Sequence, residues 1–295
     1  MARLAALAPG YVTCCLEAAG MNAVDSALSA FSCVPCDDRL FAVRALDLLA
    51  DAEVLKGGLL VAALCALWMS GRARDERRDV RTRVVMTVAA AFGALCVSRL
   101  LALALPFRAR PFELAGGDPT LPHRALESWS AFPSDHAALF FALATGIALV
   151  SRRLGVLAVL HAVFVVSLPR LYLGLHNPTD MLAGAAIGVL CALAAARPLL
   201  LRRCAAPIVD WSEGRRAPWF GALAFLLAFE IATLFDTVRS GARLLWPVVK
   251  SAVHATPAAA GEMFVLIALL SLLGAFARLR SYRVAAARQT SSSAR

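Results

Sequence analysis

Long apolar runs separated by short polar connectors dominate this chain of 295 residues. Seven runs approach or reach the length that an α-helix needs to cross a hydrocarbon layer of about 30 Å. A helix satisfies its backbone hydrogen bonds internally, as crossing that layer requires. The pattern therefore predicts an all-α fold, a polytopic membrane helix bundle with about six to seven transmembrane helices. The runs cover approximately residues 55–70, 84–105, 136–151, 154–169, 181–200, 218–236 and 260–277.

The same pattern divides the chain into four parts. Residues 1–54 precede the first run, and their alternation of charge and leucine near residue 50 predicts an extracytoplasmic or interfacial segment. Residues 55–200 form the helical core that carries the polar clusters described below. Residues 201–278 add two C-terminal helices, and residues 279–295 form a basic, serine-rich tail that we expect to be disordered in the cytoplasm.

The positive charge is concentrated in one set of connectors. The composition is 60% hydrophobic with a net charge of +10 and a mean hydropathy of +0.70. Connectors 72–83, 152–153 and 197–216 carry thirteen arginines, whereas 106–133 and 169–180 carry four. An excess of Lys and Arg marks the cytoplasmic side of a membrane protein. The charge therefore predicts an orientation, not a nucleic-acid partner, and the arginine-poor end is expected to face outward.

Three short polar clusters interrupt the apolar sequence. They are Arg110-Pro111, the stretch 133–136 (Pro-Ser-Asp-His), and the stretch 170–180, which contains Arg170, His176 and Asp180. The second run ends before the first cluster, the third run begins at the second cluster, and the third cluster joins the fourth and fifth runs. All three clusters are therefore predicted at the arginine-poor end of the bundle. Ionisable groups are costly in membrane proteins, so their meeting there indicates a functional site.

Two imidazoles, several guanidinium groups and a carboxylate are suited to phosphoryl transfer. Asn177-Pro178 is typical of a helix start and places Asp180 in the first turn, where it can fold back towards His176. A carboxylate bonded to one imidazole nitrogen leaves the other with a lone pair for attack. His136 can donate a proton to the departing oxygen, because an unperturbed histidine has a pKa of about 6.5.

The remaining polar groups are candidates for holding the phosphate. Ser134 lies at the start of the third helix, where free backbone amides and the positive end of the helix dipole favour an anion. Arg110 and Arg170 supply forked, permanently charged donors that match phosphate oxygens.

The motifs resemble the type 2 phosphatidic acid phosphatase superfamily, whose signature is Lys-x6-Arg-Pro, Pro-Ser-Gly-His and Ser-Arg-x5-His-x3-Asp. The similar stretches lie between residues 99 and 180, and the shared helical core covers about 55–200. They are similar to bacterial integral-membrane members, including undecaprenyl-pyrophosphate phosphatase-like proteins. The resemblance implies a phosphatidic-acid-phosphatase/haloperoxidase-like core.

The resemblance also implies a role for each matching residue. His176 would be the nucleophile that forms a phosphohistidine, Asp180 its orienter, and His136 the acid that protonates the leaving group. The phosphate would be bound by Arg110, Ser134 and Arg170. Neither a metal nor another cofactor is implied.

Three departures from the signature bear on the site. Leu103 stands where the family has Lys, and Arg108, or else Arg99, is the candidate to replace that charge in substrate binding. Asp135 replaces the usual Gly and would favour the protonated form of His136 if the two groups are close. Pro169 replaces the Ser before the third-cluster arginine and removes a hydroxyl and a backbone amide together.

We therefore expect a lipid phosphatase of the cell envelope, with its site on the extracytoplasmic face of a bacterial-type cytoplasmic membrane. The favoured substrate is a polyprenyl diphosphate such as undecaprenyl pyrophosphate. Phosphatidic acid and phosphatidylglycerol phosphate stay open, as do a vanadate-type haloperoxidase and an inactive transporter or scaffold. The expected partners are the lipid phosphate and membrane lipids, with no nucleic acid. Oligomeric state stays open, as does disulfide formation among Cys14, Cys15, Cys33 and Cys36.

Overall fold

The computed structural model describes residues 25, 46, 48–50, 52–71, 73–111 and 130–233, with the backbone alone at 202 and 214. The chain divides into two compact units, Met1–Phe235 and Asp236–Arg295, and the helices below belong to the first. The predicted run 260–277, the basic tail, the four N-terminal cysteines and most of the predicted interfacial segment lie outside the described residues.

All the secondary-structure elements among the described residues are helices, with no strand, so the predicted all-α fold is confirmed. Helices α2, α4 and α5 are long and apolar enough to cross a membrane, while α1, α3 and α7 are shorter apolar helices. Six of the seven predicted runs correspond to α1–α5 and α7. Between α5 and α7, α6 is a broken helical run made of Pro198–Leu200, Leu201–Ala205 and Ala206–Trp211. The others are α1 Val54–Trp68, α2 Arg74–Ala104, α3 Asp135–Val150, α4 Arg152–Tyr172, α5 Pro178–Ala195 and α7 Ala217–Ala232.

Helix α3 is the central helix of the described bundle. It has 16 residues, and Leu139, Phe140, Leu143 and Ile147 are fully buried. A helix that is buried on all sides lies inside a bundle instead of on its surface. Helices α2, α4 and α5 all pack against it, so its N-terminal end is enclosed by the residues that precede and follow those helices.

Two glycines allow α5 to lie directly against α3. A Cβ at Gly184 would stand 2.3 Å from the carbonyl oxygen of Ser134, and a Cβ at Gly188 would stand 2.4 Å from that of Ala138. Small residues four apart permit such close backbone approach between membrane helices. The spacing therefore fixes the start of α5 beside the start of α3.

Replacing Gly188 with Ala is expected to separate the two helices, because the added carbon meets backbone atoms that cannot turn away. We expect Gly188→Ala to lower the free energy of unfolding by about 1–3 kcal/mol. The measurement is thermal unfolding in detergent. Gly93→Ala is the matched control, since a Cβ there has nothing within 4 Å; we expect it to be neutral or slightly stabilising. Equal midpoints for the two variants would contradict the close packing.

Ion pairs hold the connectors together at the opposite end of the bundle. The guanidinium of Arg78 is 2.7 Å from the carboxylate of Asp210, and that of Arg81 is 3.4 Å from Glu213. The Arg81 guanidinium also lies 5.1 Å from the ring centre of Trp68. The start of α2, the end of α1 and the end of α6 therefore share one end of the bundle, as the charge pattern predicts.

A wide helical turn precedes Pro169 in α4. The amide of Leu168 donates to the carbonyl of Val163, five residues back, and the Ser167 hydroxyl donates to the carbonyl of Ala162 at 2.7 Å. A proline ring inside a helix lacks an N–H and clashes with the carbonyl four residues earlier. The wider turn accommodates it, so α4 continues to Tyr172 despite the proline.

Candidate active site

Hydrogen bonds from two neighbouring helices fix the start of α3. The hydroxyl of Ser98 in α2 donates to the carbonyl of Pro133 at 3.2 Å. The amide of Ser134 donates to the backbone carbonyl of Asp180 in α5 at 3.0 Å. The three elements that carry the polar clusters therefore meet at one end of α3.

His176 is buried in the loop between α4 and α5 with a defined tautomer. Its Nδ1 is 2.9 Å from the backbone carbonyl oxygen of Ala131. A carbonyl can only accept, so Nδ1 carries the proton and Nε2 of the neutral ring carries the lone pair. The nearest Asp180 oxygen is 3.8 Å from Nδ1. Ala131 therefore makes the closer contact with the nitrogen that we predicted Asp180 to orient.

A guanidinium lies beside that lone pair. Nη1 of Arg110 is 3.4 Å from Nε2 of His176 and donates to the carbonyl of Leu175 at 2.8 Å. Arg110 is buried, so its charge acts with little screening by water. An anion bound beside Nε2 would meet this positive charge, as a phosphoryl group requires.

Burial lowers the pKa of His176 from its ordinary value of 6.5, because an imidazolium loses its hydration there. The nearby Asp180 carboxylate opposes this by raising the pKa, while the charge of Arg110 lowers it further. The net direction keeps the ring neutral at neutral pH, which is the form that can attack an electrophile.

This direction sets the expected pH dependence. A nucleophilic His176 is inactive when protonated, and its lowered pKa means that protonation requires more acid than for a free histidine. We expect the acid limb of kcat/KM to lie below pH 6.5, the ordinary value for histidine. Rates measured across pH, corrected for ionisation of the substrate by phosphorus NMR, test this. An acid limb at or above the ordinary histidine value would contradict it.

The second histidine stands in the first turn of α3 with a carboxylate of its own. Oδ1 of Asp135 is 2.9 Å from Nδ1 of His136 and accepts from the His136 amide at 2.9 Å. The other Asp135 oxygen accepts from the guanidinium of Arg99. The carboxylate fixes Nδ1 as a donor and leaves Nε2 for proton exchange. Asp135, His136 and His176 each offer one atom within 4.8 Å of the others.

That spacing would also suit a metal ion, but the charges around it favour an anion. Asp135 is the one carboxylate of the three, and it is already bonded to Arg99 and His136. Arg110 adds a second positive charge beside His176. The neighbouring guanidinium charges repel a cation and attract an anion. The arrangement is therefore better matched to a phosphate group.

Two of the first amides of α3 already have acceptors within the chain, and the binding of phosphate at this helix start stays a prediction. The amide of Ala137 donates to the Ser134 hydroxyl at 3.4 Å, and that of His136 donates to Asp135. These side chains cap the helix because its first amides have no intrahelical acceptors. Ser134 is fully buried and acts as the cap; its contact with phosphate stays a prediction.

Asp180 is held by its own helix and by Arg108. It is fully buried, and its Oδ2 accepts from the amide of Asn177 at 2.7 Å. Its Oδ1 accepts from Nη1 of Arg108 at 2.5 Å. The same nitrogen lies 2.8 Å from the hydroxyl of Thr179. Arg108 therefore faces carboxylates in the described structure, and its role in binding substrate stays a prediction.

Arg170 ties the end of α4 to the residues before α1. It is buried, and Nη1 donates to the carbonyl of Val166 at 2.6 Å. Nη2 is 3.4 Å from the carbonyl of Ala50. Both contacts are with backbone oxygens, and its role in binding phosphate stays a prediction.

Three residues that contact the candidate site residues were not predicted from the sequence. The carbonyl of Ala131 carries no side-chain signature, and Asp25 lies in a stretch with no recognisable motif. Thr179 lies inside the third cluster, and its hydroxyl beside Asp180 could have drawn attention to it. Asp25 is fully buried and bonds both Arg108 and Thr179.

Comparison with known proteins identifies a family for the segment that carries the site. Residues 85–203 match the model of the PAP2 superfamily. This segment belongs to the PAP2 superfamily. The PAP2 segment runs from within α2 to the beginning of α6 and contains all three polar clusters. The resemblance expected from the motifs is thereby confirmed for this segment, and the three described helices that are long and apolar enough to cross a membrane indicate a membrane protein.

One curated relative adds a narrower likeness. The bacitracin transport permease protein BcrC of Bacillus licheniformis is 44% identical over 64 residues, which are 22% of this chain and 31% of BcrC. The match thus spans about a third of the length of that relative. No solved structure matches the chain.

Proposed function

We propose that the chain is a lipid phosphatase that hydrolyses a lipid phosphate or diphosphate through a phosphohistidine on His176. The observation that carries the proposal is the lone pair on Nε2 of His176, which lies beside Arg110 and within a few ångströms of the His136–Asp135 pair. Nucleophile, positive charge and proton donor are the parts that phosphoryl transfer needs.

In the first step, Nε2 of His176 attacks phosphorus and the bond from phosphorus to the leaving oxygen breaks. The leaving oxygen takes a proton from Nε2 of the protonated His136, and Asp135 stabilises that protonated ring. The Ala131 carbonyl accepts from Nδ1 throughout, so positive charge developing on the His176 ring meets an acceptor and the nearby Asp180 carboxylate. Arg110 stabilises the negative charge on the transferring group.

In the second step, water attacks the phosphohistidine and the bond between nitrogen and phosphorus breaks. His136, neutral after the first step, accepts a proton from the water. Inorganic phosphate leaves, His176 regains its lone pair, and His136 regains its proton. Every step uses residues of the chain and water, and no oxidation or reduction occurs.

An amphiphilic substrate fits the surroundings of the site. The end of α2 nearest the site and the residues that follow it expose large apolar side chains, among them Leu103, Leu105 and Phe107. On a membrane protein such side chains face lipid tails or the interface. A phosphate head group could reach the buried histidines while its tail stays among apolar neighbours, which favours a lipid phosphate over the small oxidisable substrates of a haloperoxidase.

Within this class we favour a polyprenyl diphosphate such as undecaprenyl pyrophosphate, handled at the extracytoplasmic face. The resemblance of the motifs supports the choice of substrate. The arginine-poor connectors at this end of the bundle support the extracytoplasmic placement of the site. Phosphatidic acid and phosphatidylglycerol phosphate are the alternatives.

Phosphate release by the purified full-length chain from a panel of these lipids tests the proposal. The assay is run with and without a chelator. We expect release from at least one lipid at equal rates in both conditions. Release that disappears with the chelator would contradict the metal-free mechanism, and the absence of release from every lipid would contradict the phosphatase proposal.

Transport is the second candidate, because the name of BcrC refers to a bacitracin transport permease. A transporter or scaffold with this site would bind a phosphate head group without cleaving it. The same panel separates the two: binding of a lipid phosphate with no release of phosphate favours transport.

A further inference from the structure

Asp25 lies outside the PAP2 segment but reaches into its site. The residue is fully buried, and Oδ1 accepts from the backbone amide of Thr179 at 2.9 Å. Oδ2 accepts from the hydroxyl of Thr179 at 2.9 Å and from the guanidinium of Arg108. A buried carboxylate is costly unless it is bonded and paired, and Asp25 meets both conditions.

The amide that Asp25 accepts belongs to the first turn of α5, the helix that carries Asp180. The first amides of a helix have no acceptor within the helix. Asp25 therefore caps α5 from 154 residues earlier in the chain, and its charge lies at the positive end of the helix dipole.

The same carboxylate shares Arg108 with Asp180. Nη2 of Arg108 bonds Asp25 and Nη1 bonds Asp180, so one guanidinium is divided between two acids. If Asp25 lost its charge, both nitrogens would be drawn to Asp180, because a guanidinium binds a carboxylate best through two parallel bonds. That shift would pull Asp180 away from Asn177 and from the imidazole of His176.

We propose that Asp25 is a positioning residue for the reaction, acting through Arg108 and Thr179 to hold Asp180 beside His176. The inference rests on the proposed phosphatase function. Asp25 acts on the carboxylate that lies 3.8 Å from Nδ1 of the nucleophile, whereas Arg110 beside Nε2 meets the phosphate. Its loss is therefore expected to slow the chemical step while leaving phosphate binding unchanged.

The test compares Asp25→Asn with the wild-type full-length chain in detergent. Asparagine keeps the shape and an oxygen for the Thr179 amide but removes the charge that shares Arg108. We expect kcat to fall on the order of 100-fold, as for a misplaced catalytic group. KM and the inhibition constant of inorganic phosphate are expected to stay within about twofold.

Two further variants separate positioning from folding. Asp210→Asn removes a carboxylate from an ion pair at the other end of the bundle and is expected to keep wild-type kcat. The double variant Arg108→Gln/Asp25→Asn is expected to have the same kcat as Arg108→Gln alone. Both substitutions remove the ion pair between Asp25 and Arg108, so their effects should not add. If Asp25→Asn does not fold, Thr179→Val decides, with a several-fold fall in kcat expected at unchanged KM.

Each outcome bears on the inference. Wild-type kcat in Asp25→Asn overturns it, as does a rise in KM and in the phosphate inhibition constant at unchanged kcat, which would make Arg108 a substrate ligand. Additive effects of the two substitutions also overturn it. A wild-type chain that releases no phosphate from any lipid removes the proposed function, and this inference with it.

Discussion

His176→Asn is expected to reduce kcat for phosphate release by at least about 10³-fold, because it removes the atom that forms the bond to phosphorus. Asparagine is chosen because its amide nitrogen can replace Nδ1 as donor to the carbonyl of Ala131, 2.9 Å from Nδ1 in the native site. The substitution therefore removes Nε2 and spares the contact that holds the loop. Phosphate release at saturating lipid, with protein folding checked by thermal unfolding, measures the effect.

His161→Asn is the matched control for loss of an imidazole. His161 lies within α4, and its Nε2 is 2.7 Å from the carbonyl oxygen of Leu55 in α1, so it joins two helices and lies outside the candidate site. We expect that variant to keep kcat close to the wild-type value. Wild-type turnover by the His176→Asn protein would contradict the assignment of His176 as the nucleophile.

His136→Asn is expected to have the second largest effect, and its size should depend on the leaving group. The variant keeps a donor for Asp135 but lacks Nε2, so the leaving oxygen departs without a proton. For a monoester such as phosphatidic acid, whose leaving group is a basic alkoxide, we expect kcat/KM to fall about 10²- to 10⁴-fold. For nitrophenyl phosphate, whose leaving oxygen is weakly basic, the loss should be much smaller.

Comparing the two substrates on one preparation makes this prediction independent of folding, because an unfolded fraction lowers both rates equally. Equal losses would contradict the assignment of His136 as the acid. A loss confined to the weakly basic leaving group would contradict it equally.

The helices could be predicted where hydropathy defines them, and less well where charge or local chemistry does. The apolar run 84–105 is only part of α2, which begins at Arg74. Charged residues also form helix here, with Arg83 paired to Asp79 one turn away at 2.8 Å. The fifth run was predicted to begin at 181, but Pro178 starts α5, as the Asn177-Pro178 signal indicates.

The meeting of the two histidines could be predicted from the sequence, but the contacts around them could not. The order of the helices was sufficient to bring His136 and His176 to one end of the bundle, because both flank helices that share that end. No sequence pattern shows that the Ala131 carbonyl approaches Nδ1 more closely than Asp180 does. Nor could the sequence show that Asp25 shares Arg108, since long-range pairs depend on tertiary packing and leave no local periodicity.

The covalent step is the central claim, and rapid-quench labelling tests it most directly. Full-length wild-type protein is mixed with lipid phosphate labelled at phosphorus, quenched in alkali to preserve phosphohistidine, digested and mapped by mass spectrometry. We expect the label on His176 at times shorter than one turnover, and none in His176→Asn. Turnover without a labelled histidine, or a label on another residue, would contradict the account.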